Sequence, residues 1–114
     1  MATSTIKANM FNQLSNATTE ISYTSSAANT WEVAGSFTLT KGAMVYITSS
    51  YGARTVGIGF GSANNLSAPD RGAAENSNHI YRTPLFWLNS GTIYIYVKTN
   101  STAAANRYNV YKID

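Results

Sequence analysis

The chain has 114 residues, contains no cysteine and carries a formal net charge of +3 at pH 7. This length is typical of one domain with its own hydrophobic core, and the absence of cysteine excludes disulfides and zinc sites built from thiolates. Nucleic-acid binding is not expected either, because the Lys and Arg residues are scattered singly rather than clustered along one track.

Residues 1–19 are polar and weakly patterned. Ile6, Met10, Phe11 and Leu14 are spaced as they would be along one side of a short helix. A helix this short is marginal alone, so 1–19 is predicted to be an N-terminal arm or tether. The segment has no apolar signal-peptide core, and the chain has no run long enough to cross a bilayer, so we expect synthesis in a cytoplasm without an export signal and without membrane insertion.

Alternating apolar and polar residues predict strands through the first half of the chain. A short strand is predicted at 20–25, a longer one at 30–40 and a return strand at 43–50. In the second of these, one face is predicted to be core and consists of Trp31, Val33, Gly35, Phe37 and Leu39.

Three glycines alternate with apolar residues in a fourth predicted strand, 54–61. Gly57, Gly59 and Gly61 lie on one face of this strand, which lacks the helix that a phosphate-binding glycine loop requires. We therefore expect a bulky group, such as an aromatic side chain of a neighbouring strand or subunit, to lie against the bare backbone. The stretch 62–78 has no periodicity and is predicted to be a long loop of the kind that often carries function.

The strongest strand pattern in the chain is at 92–99. Ile93, Ile95 and Val97 alternate with Tyr94 and Tyr96, so both faces need cover. Shorter strands are predicted at 80–83, 85–88 and 108–113, with 85–88 buried on both faces. Core packing is the default expectation for Trp31 and Trp87.

About eight strands without a helix after the arm predict an all-β jelly-roll sandwich over residues 20–114. Two stretches also resemble a known family: Trp31-Glu-Val-Ala-Gly-Ser-Phe-Thr-Leu-Thr-Lys-Gly42 and Asn89-Ser-Gly-Thr-Ile-Tyr-Ile-Tyr-Val97. They are similar to the small jelly-roll knob domains of bacteriophage tail and head fibres, which share a topology with tumour-necrosis-factor-like trimers. The resemblance lies in the general residue pattern and the spacing of the strands, and it extends over roughly residues 21–113.

This resemblance implies a homotrimer whose inner sheets pack aromatic residues around a three-fold axis. It also implies that the N-terminal segment joins other virion proteins. Residue size and alternation select the interface residues, which we expect to be Tyr46, Tyr94, Tyr96 and Tyr111.

No catalytic arrangement is indicated by the spacing of the acids, the sole histidine and the hydroxyl side chains, so neither an enzyme nor a cofactor is expected. A cation held by Asp70, Glu75 and His79 stays open as an alternative, although no metal site is predicted. Aromatic and polar residues at strand ends suit a sugar platform. The candidate ligand-binding residues are Tyr51, Arg54, Asp70, Arg71, Asn76, His79 and Tyr81.

The sequence thus predicts a non-enzymatic virion knob that forms a homotrimer and attaches the particle to host surface saccharide. One alternative is a purely structural capsid or tail component without a ligand. Another is a cellular lectin-like carbohydrate-binding module.

Overall fold

A computed structural model describes residues 19–49, 54–102 and 105–113, and these residues form eight β-strands. The strands are β1 (Thr19–Thr24), β2 (Trp31–Leu39), β3 (Ala43–Ser49), β4 (Thr55–Gly61), β5 (Arg71–Glu75), β6 (Phe86–Leu88), β7 (Gly91–Thr99) and β8 (Ala105–Ile113). The predicted arm at 1–19 lies almost wholly outside the described residues, and Tyr51 lies outside them as well. In the part of the chain that the structure describes, no helix is long and apolar enough to span a membrane.

The strands form two four-stranded sheets in which all pairs are antiparallel. The first sheet has the order β1-β8-β3-β6, and the second has the order β2-β7-β4-β5. The predicted all-β sandwich is therefore confirmed. Each sheet combines strands that are distant in sequence, so its stability depends on non-local pairing and on the core between the sheets.

The core lies between the two sheets and is mostly aliphatic. The inward residues of β7, which are Ile93, Ile95 and Val97, are at most 2% exposed, as their alternation predicts. Val45 and Ile47 of β3, which are fully buried, belong to the same core cluster. Burying side chains of this size stabilises the fold by about 1.5–3 kcal/mol each.

A β-bulge in β2 overturns the predicted facing of its first residues. The pairing with β7 shifts between Val33 and Gly35, so one extra residue enters the strand. As a result Phe37 points into the core, whereas Trp31 lies on the outer face against Lys98. The expectation that Trp31 packs in the core is wrong, because an inserted residue reverses a period-two pattern.

Three further predictions about the strands are corrected. Residues 71–75, predicted as loop, form β5 at an edge of the second sheet, whereas 80–83 forms only an isolated bridge between Arg82 and Thr48. The segment 85–88 is not buried on both faces: Leu88 is 1% exposed, but Trp87 is 55% exposed. It forms the short edge strand β6, which leaves its outer side open.

Candidate functional site

The outer face of β4 is covered by side chains of the same chain. Measured from an ideal Cβ placed on each glycine, Trp31 lies 2.7 Å from Gly57 and Pro69 lies 2.5 Å from Gly59, and the Tyr96 ring lies against Gly61. Every residue of β4 is buried. The prediction that bulky groups lie against the glycine face is confirmed, and they come from within the domain.

The loop 62–70 covers this face of β4 and is held in place by hydrogen bonds to Tyr96 and within the loop itself. The Tyr96 hydroxyl donates to the carbonyl oxygen of Ala63 at 2.6 Å and accepts from the N–H of Leu66 at 3.0 Å. Asp70 closes the loop by accepting from the hydroxyl of Ser62 at 2.6 Å and from its N–H at 3.1 Å. The hydrogen bond from the Ser62 hydroxyl lowers the pKa of Asp70. Tyr96 is 1% exposed, so its assignment to a subunit interface is wrong.

The predicted ligand-binding residues are divided between the two ends of β4. Asp70 and Arg71 lie beside its last residues, where Arg71 pairs with Phe60. Arg54, Asn76 and His79 lie at its first residues. A strand of this length spans about 20 Å, so the two groups cannot hold one small ligand.

The alternative of a cation held by Asp70, Glu75 and His79 fails for the same reason. Among the described residues no three His, Asp or Glu side chains are grouped as a metal ion requires.

His79 is tied into the fold through both ring nitrogens. The N–H of Thr55 donates to its Nδ1 at 3.2 Å, and its Nε2 lies 3.1 Å from the Ser49 hydroxyl, which itself donates to the Ile80 carbonyl oxygen. Nε2 therefore carries the proton. Its ring meets Tyr81 edge-on, with 4.2 Å between the ring centroids. Burial, together with the charge of Arg54, lowers the pKa of His79. The imidazole thus joins β3 to β4 and is not free for a ligand.

A polar cleft opens at the same end of the second sheet, where β2 begins, β7 ends, β4 begins and β5 ends. Its volume is about 500 Å³. A second β-bulge helps to form it, because the pairing of β4 with β7 shifts between Thr55 and Gly57 and the extra residue, Val56, lines the cleft. The other lining residues are Asn29, Glu75, Asn76, Ser77, Lys98 and Asn100.

Side chains of mixed hydrogen-bonding character line this cleft. Three amides and a hydroxyl supply neutral donors and acceptors, and Lys98 supplies a cation whose Nζ lies 3.1 Å from a carboxylate oxygen of Glu75. The same Nζ lies 4.9 Å from the centroid of the Trp31 ring. Such a surface suits a ligand that carries several hydroxyl groups.

Of the cleft residues, the sequence predicted only Asn76 as a saccharide ligand, and it considered Glu75 only for a cation. Asn29, Ser77, Lys98 and Asn100 were missed. Their local signal is a cluster of polar residues just beyond strand ends, but the sequence contains many such clusters. The bulge and the strand order that bring them together are not visible in any one segment.

The predicted interface tyrosines are also divided, between opposite faces of the sandwich. Tyr46 and Tyr111 stack on the outer side of the first sheet with ring centroids 4.9 Å apart, whereas Tyr94 belongs to β7 of the second sheet. The four tyrosines therefore cannot line one axis.

The Tyr46–Tyr111 pair has an open surface around it. The Arg82 guanidinium lies 5.8 Å from the centre of the Tyr46 ring. A groove of about 210 Å³ is lined by Tyr46, Arg82, Thr83, Pro84 and Leu85. Leu85 is 45% exposed.

No family model and no curated protein matches the sequence. A solved structure, the SPBc2 prophage-derived protein YomS, is similar to this chain at a TM-score of 0.40 and 14% identity, over 83% of this chain and 94% of that one. A likeness of this size carries no argument about fold or function, so the sandwich is established by its own strand pairing.

Proposed function

We propose that the chain is a non-enzymatic virion knob that forms a homotrimer and attaches the particle to host surface saccharide. The observation that carries the proposal is the polar cleft at Asn29, Asn76 and Asn100. Its volume lies within the range of about 300–1,000 Å³ that small-molecule sites occupy.

The chemistry of the cleft supports a sugar ligand. Each sugar hydroxyl both donates and accepts a hydrogen bond, and an amide side chain offers both roles in one group. Asn29, Asn76 and Asn100 approach the cleft from three different strand ends, so they can contact several hydroxyl groups of one ring.

The strand order supports the jelly-roll topology of the proposal. The chain changes sheet at every connection except the one between β4 and β5, and each sheet interleaves strands of both halves. Together with the resemblance of residues 31–42 and 89–97 to phage fibre knobs, this order favours a fibre or decoration domain.

Several weak sites of this kind can together bind a glycan-bearing surface strongly. An open cleft with exposed amides binds one sugar weakly, because water competes for each hydrogen bond. Three clefts in one trimer, repeated over a particle, raise the overall avidity without any new contact.

Substituting single cleft residues tests the proposal, after a glycan array has identified a binding saccharide. Asn100→Ala removes one amide from the cleft, and we expect about fivefold weaker binding by titration calorimetry, because one hydrogen bond contributes about 1 kcal/mol. Asn29→Gly serves as a second variant, because Asn29 has a positive φ of 55° that glycine adopts without strain. Asn65→Ala, an exposed asparagine outside the cleft, is the matched control and should bind normally. Equal affinity in all four proteins would overturn the cleft assignment.

A purely structural virion component is the second candidate, and the exposed aromatic face of the first sheet favours it. Trp87 is 55% exposed beside β3, and such surface suits protein contact. An array without any bound glycan, combined with a stable trimer, would favour this candidate. Saccharide binding by a monomer would instead favour the cellular lectin-like module.

A further inference from the structure

We infer that the cleft selects a neutral saccharide over an acidic one. This inference rests on the proposed function and adds the chemical class of the ligand. It comes from the arrangement of charge around Lys98 and Glu75.

The charges within the cleft cancel. Of the described residues that line it, Lys98 is the one cation and Glu75 the one anion, and their charged atoms are 3.1 Å apart. The remaining lining residues are neutral. Arg54 is near, but it is not among the lining residues, and its charge acts on His79.

Lys98 already has two partners. Its side chain is 21% exposed, and its ammonium group lies between the Glu75 carboxylate and the face of Trp31. Glu75 is the more accessible member of the pair, with 56% of its side chain exposed. An approaching ligand therefore meets the carboxylate more readily than the ammonium group.

This order of exposure disfavours a carboxylated sugar. To reach Lys98, a sialic or uronic acid would have to displace Glu75 or bring a second carboxylate close to it, and like charges at such distances repel. A neutral sugar meets no such cost. One of its hydroxyls can donate to Glu75 and accept from Lys98 without breaking the ion pair.

The experiment compares wild-type protein with Glu75→Gln on an array of neutral oligosaccharides and their sialylated or uronic-acid counterparts. We expect wild-type protein to bind neutral members at least tenfold more tightly than acidic ones. Glu75→Gln removes the repelling charge and frees Lys98, so it should gain about tenfold for acidic members, the size of one charge-assisted hydrogen bond.

Glu20→Gln is the matched control. Glu20 also has a side chain that is 56% exposed and an ion pair, with Arg107 at 3.8 Å, but it lies on β1 of the first sheet. It loses the same charge and should retain the wild-type preference.

The possible results distinguish a failure of the neutral preference from a failure of the proposed saccharide binding. The inference is supported if the wild-type protein prefers neutral glycans, Glu75→Gln weakens this preference and Glu20→Gln retains it. Preferential binding of acidic glycans by wild type overturns the inference and leaves saccharide attachment standing. An array without any bound member overturns both.

Discussion

His79 links the end of β3 to the start of β4 through hydrogen bonds at both ring nitrogens. Protonation would place a proton on Nδ1, facing the N–H of Thr55, and would break that bond. Burial of the ring, together with the charge of Arg54, also disfavours the imidazolium in the folded protein, so the pKa of His79 lies below its ordinary value. Because the unfolded chain binds the proton more readily, stability is fully present above about pH 6.5 and falls as pH drops through the folded-state pKa.

We expect the melting temperature of the wild-type protein to fall between pH 7 and pH 5. His79 is the sole histidine, so it dominates titration in this range. Replacing it in His79→Asn should flatten the pH dependence there, although the variant should be less stable at pH 7 because it keeps at most part of the hydrogen bonding. Parallel curves for the two proteins would contradict this role.

At the scale of single elements, the stability of β4 depends on close packing between its glycine face and the loop 62–70. Adding a methyl group at position 59 would place it 2.5 Å from Cγ of Pro69, closer than carbon atoms pack. We expect Gly59→Ala to lower the free energy of unfolding by about 1–3 kcal/mol, as overpacking does in a dense interior. Denaturant unfolding measures this loss.

A double-mutant cycle identifies the cause. Pro69→Gly removes the clashing ring, so the loss from Gly59→Ala should be smaller in that background. The Cα of Ala73 lies 3.2 Å from the added carbon, so the rescue should be partial. If the two substitutions lower the free energy of unfolding additively, contact with Pro69 is not what prevents a larger residue at position 59.

Period-two patterns predicted the elements well wherever a strand runs without interruption. The buried face of β7 at Ile93 and Ile95 and the covered glycine face of β4 follow from alternation alone. The patterns failed at bulges, since one extra residue near Ala34 turns Trp31 outward and another, Val56, opens the cleft. A bulge depends on the partner strand, so no single segment reveals it.

The candidate site was predictable only in part for a related reason. Asn76 could be chosen as a polar residue in a long loop, but Asn29 and Lys98 enter the same cleft from distant segments. Only the pairing of β2 and β4 with β7 brings these residues together. The prediction that the tyrosines share one interface failed for a similar reason. Tyr96 and Tyr46 have similar sequence patterns around them, but the loop 62–70 covers Tyr96, whereas Tyr46 is only partly buried.

At the scale of the whole molecule, the outer faces of the two sheets differ in how well they are covered by other parts of the chain. The loop 62–70 covers the outer face of β4 in the second sheet, whereas the first sheet leaves Tyr46, Leu85 and Trp87 partly or largely exposed. We therefore expect a homotrimer that associates through the first sheet and keeps its mass in light scattering at micromolar concentration and after dilution.

Leu85→Glu should dissociate this trimer, because it places a charge in the groove beside Tyr46. Thr92→Glu is the matched control, since it adds the same charge at an exposed position of the second sheet. A wild-type monomer, or a trimer that only Thr92→Glu disrupts, would exclude the first sheet as the interface.

The glycines of β4 also limit how this sequence can drift. A side chain at position 57, 59 or 61 collides with Trp31, Pro69 or Tyr96 respectively, so a change on one side becomes tolerable only after a change on the other. Compensating pairs of this kind are reached through a less stable intermediate, which selection removes. Descendants of this chain should therefore exchange exposed residues outside the cleft, such as Asn65, more freely than the three glycines, which should change only together with their covering residues.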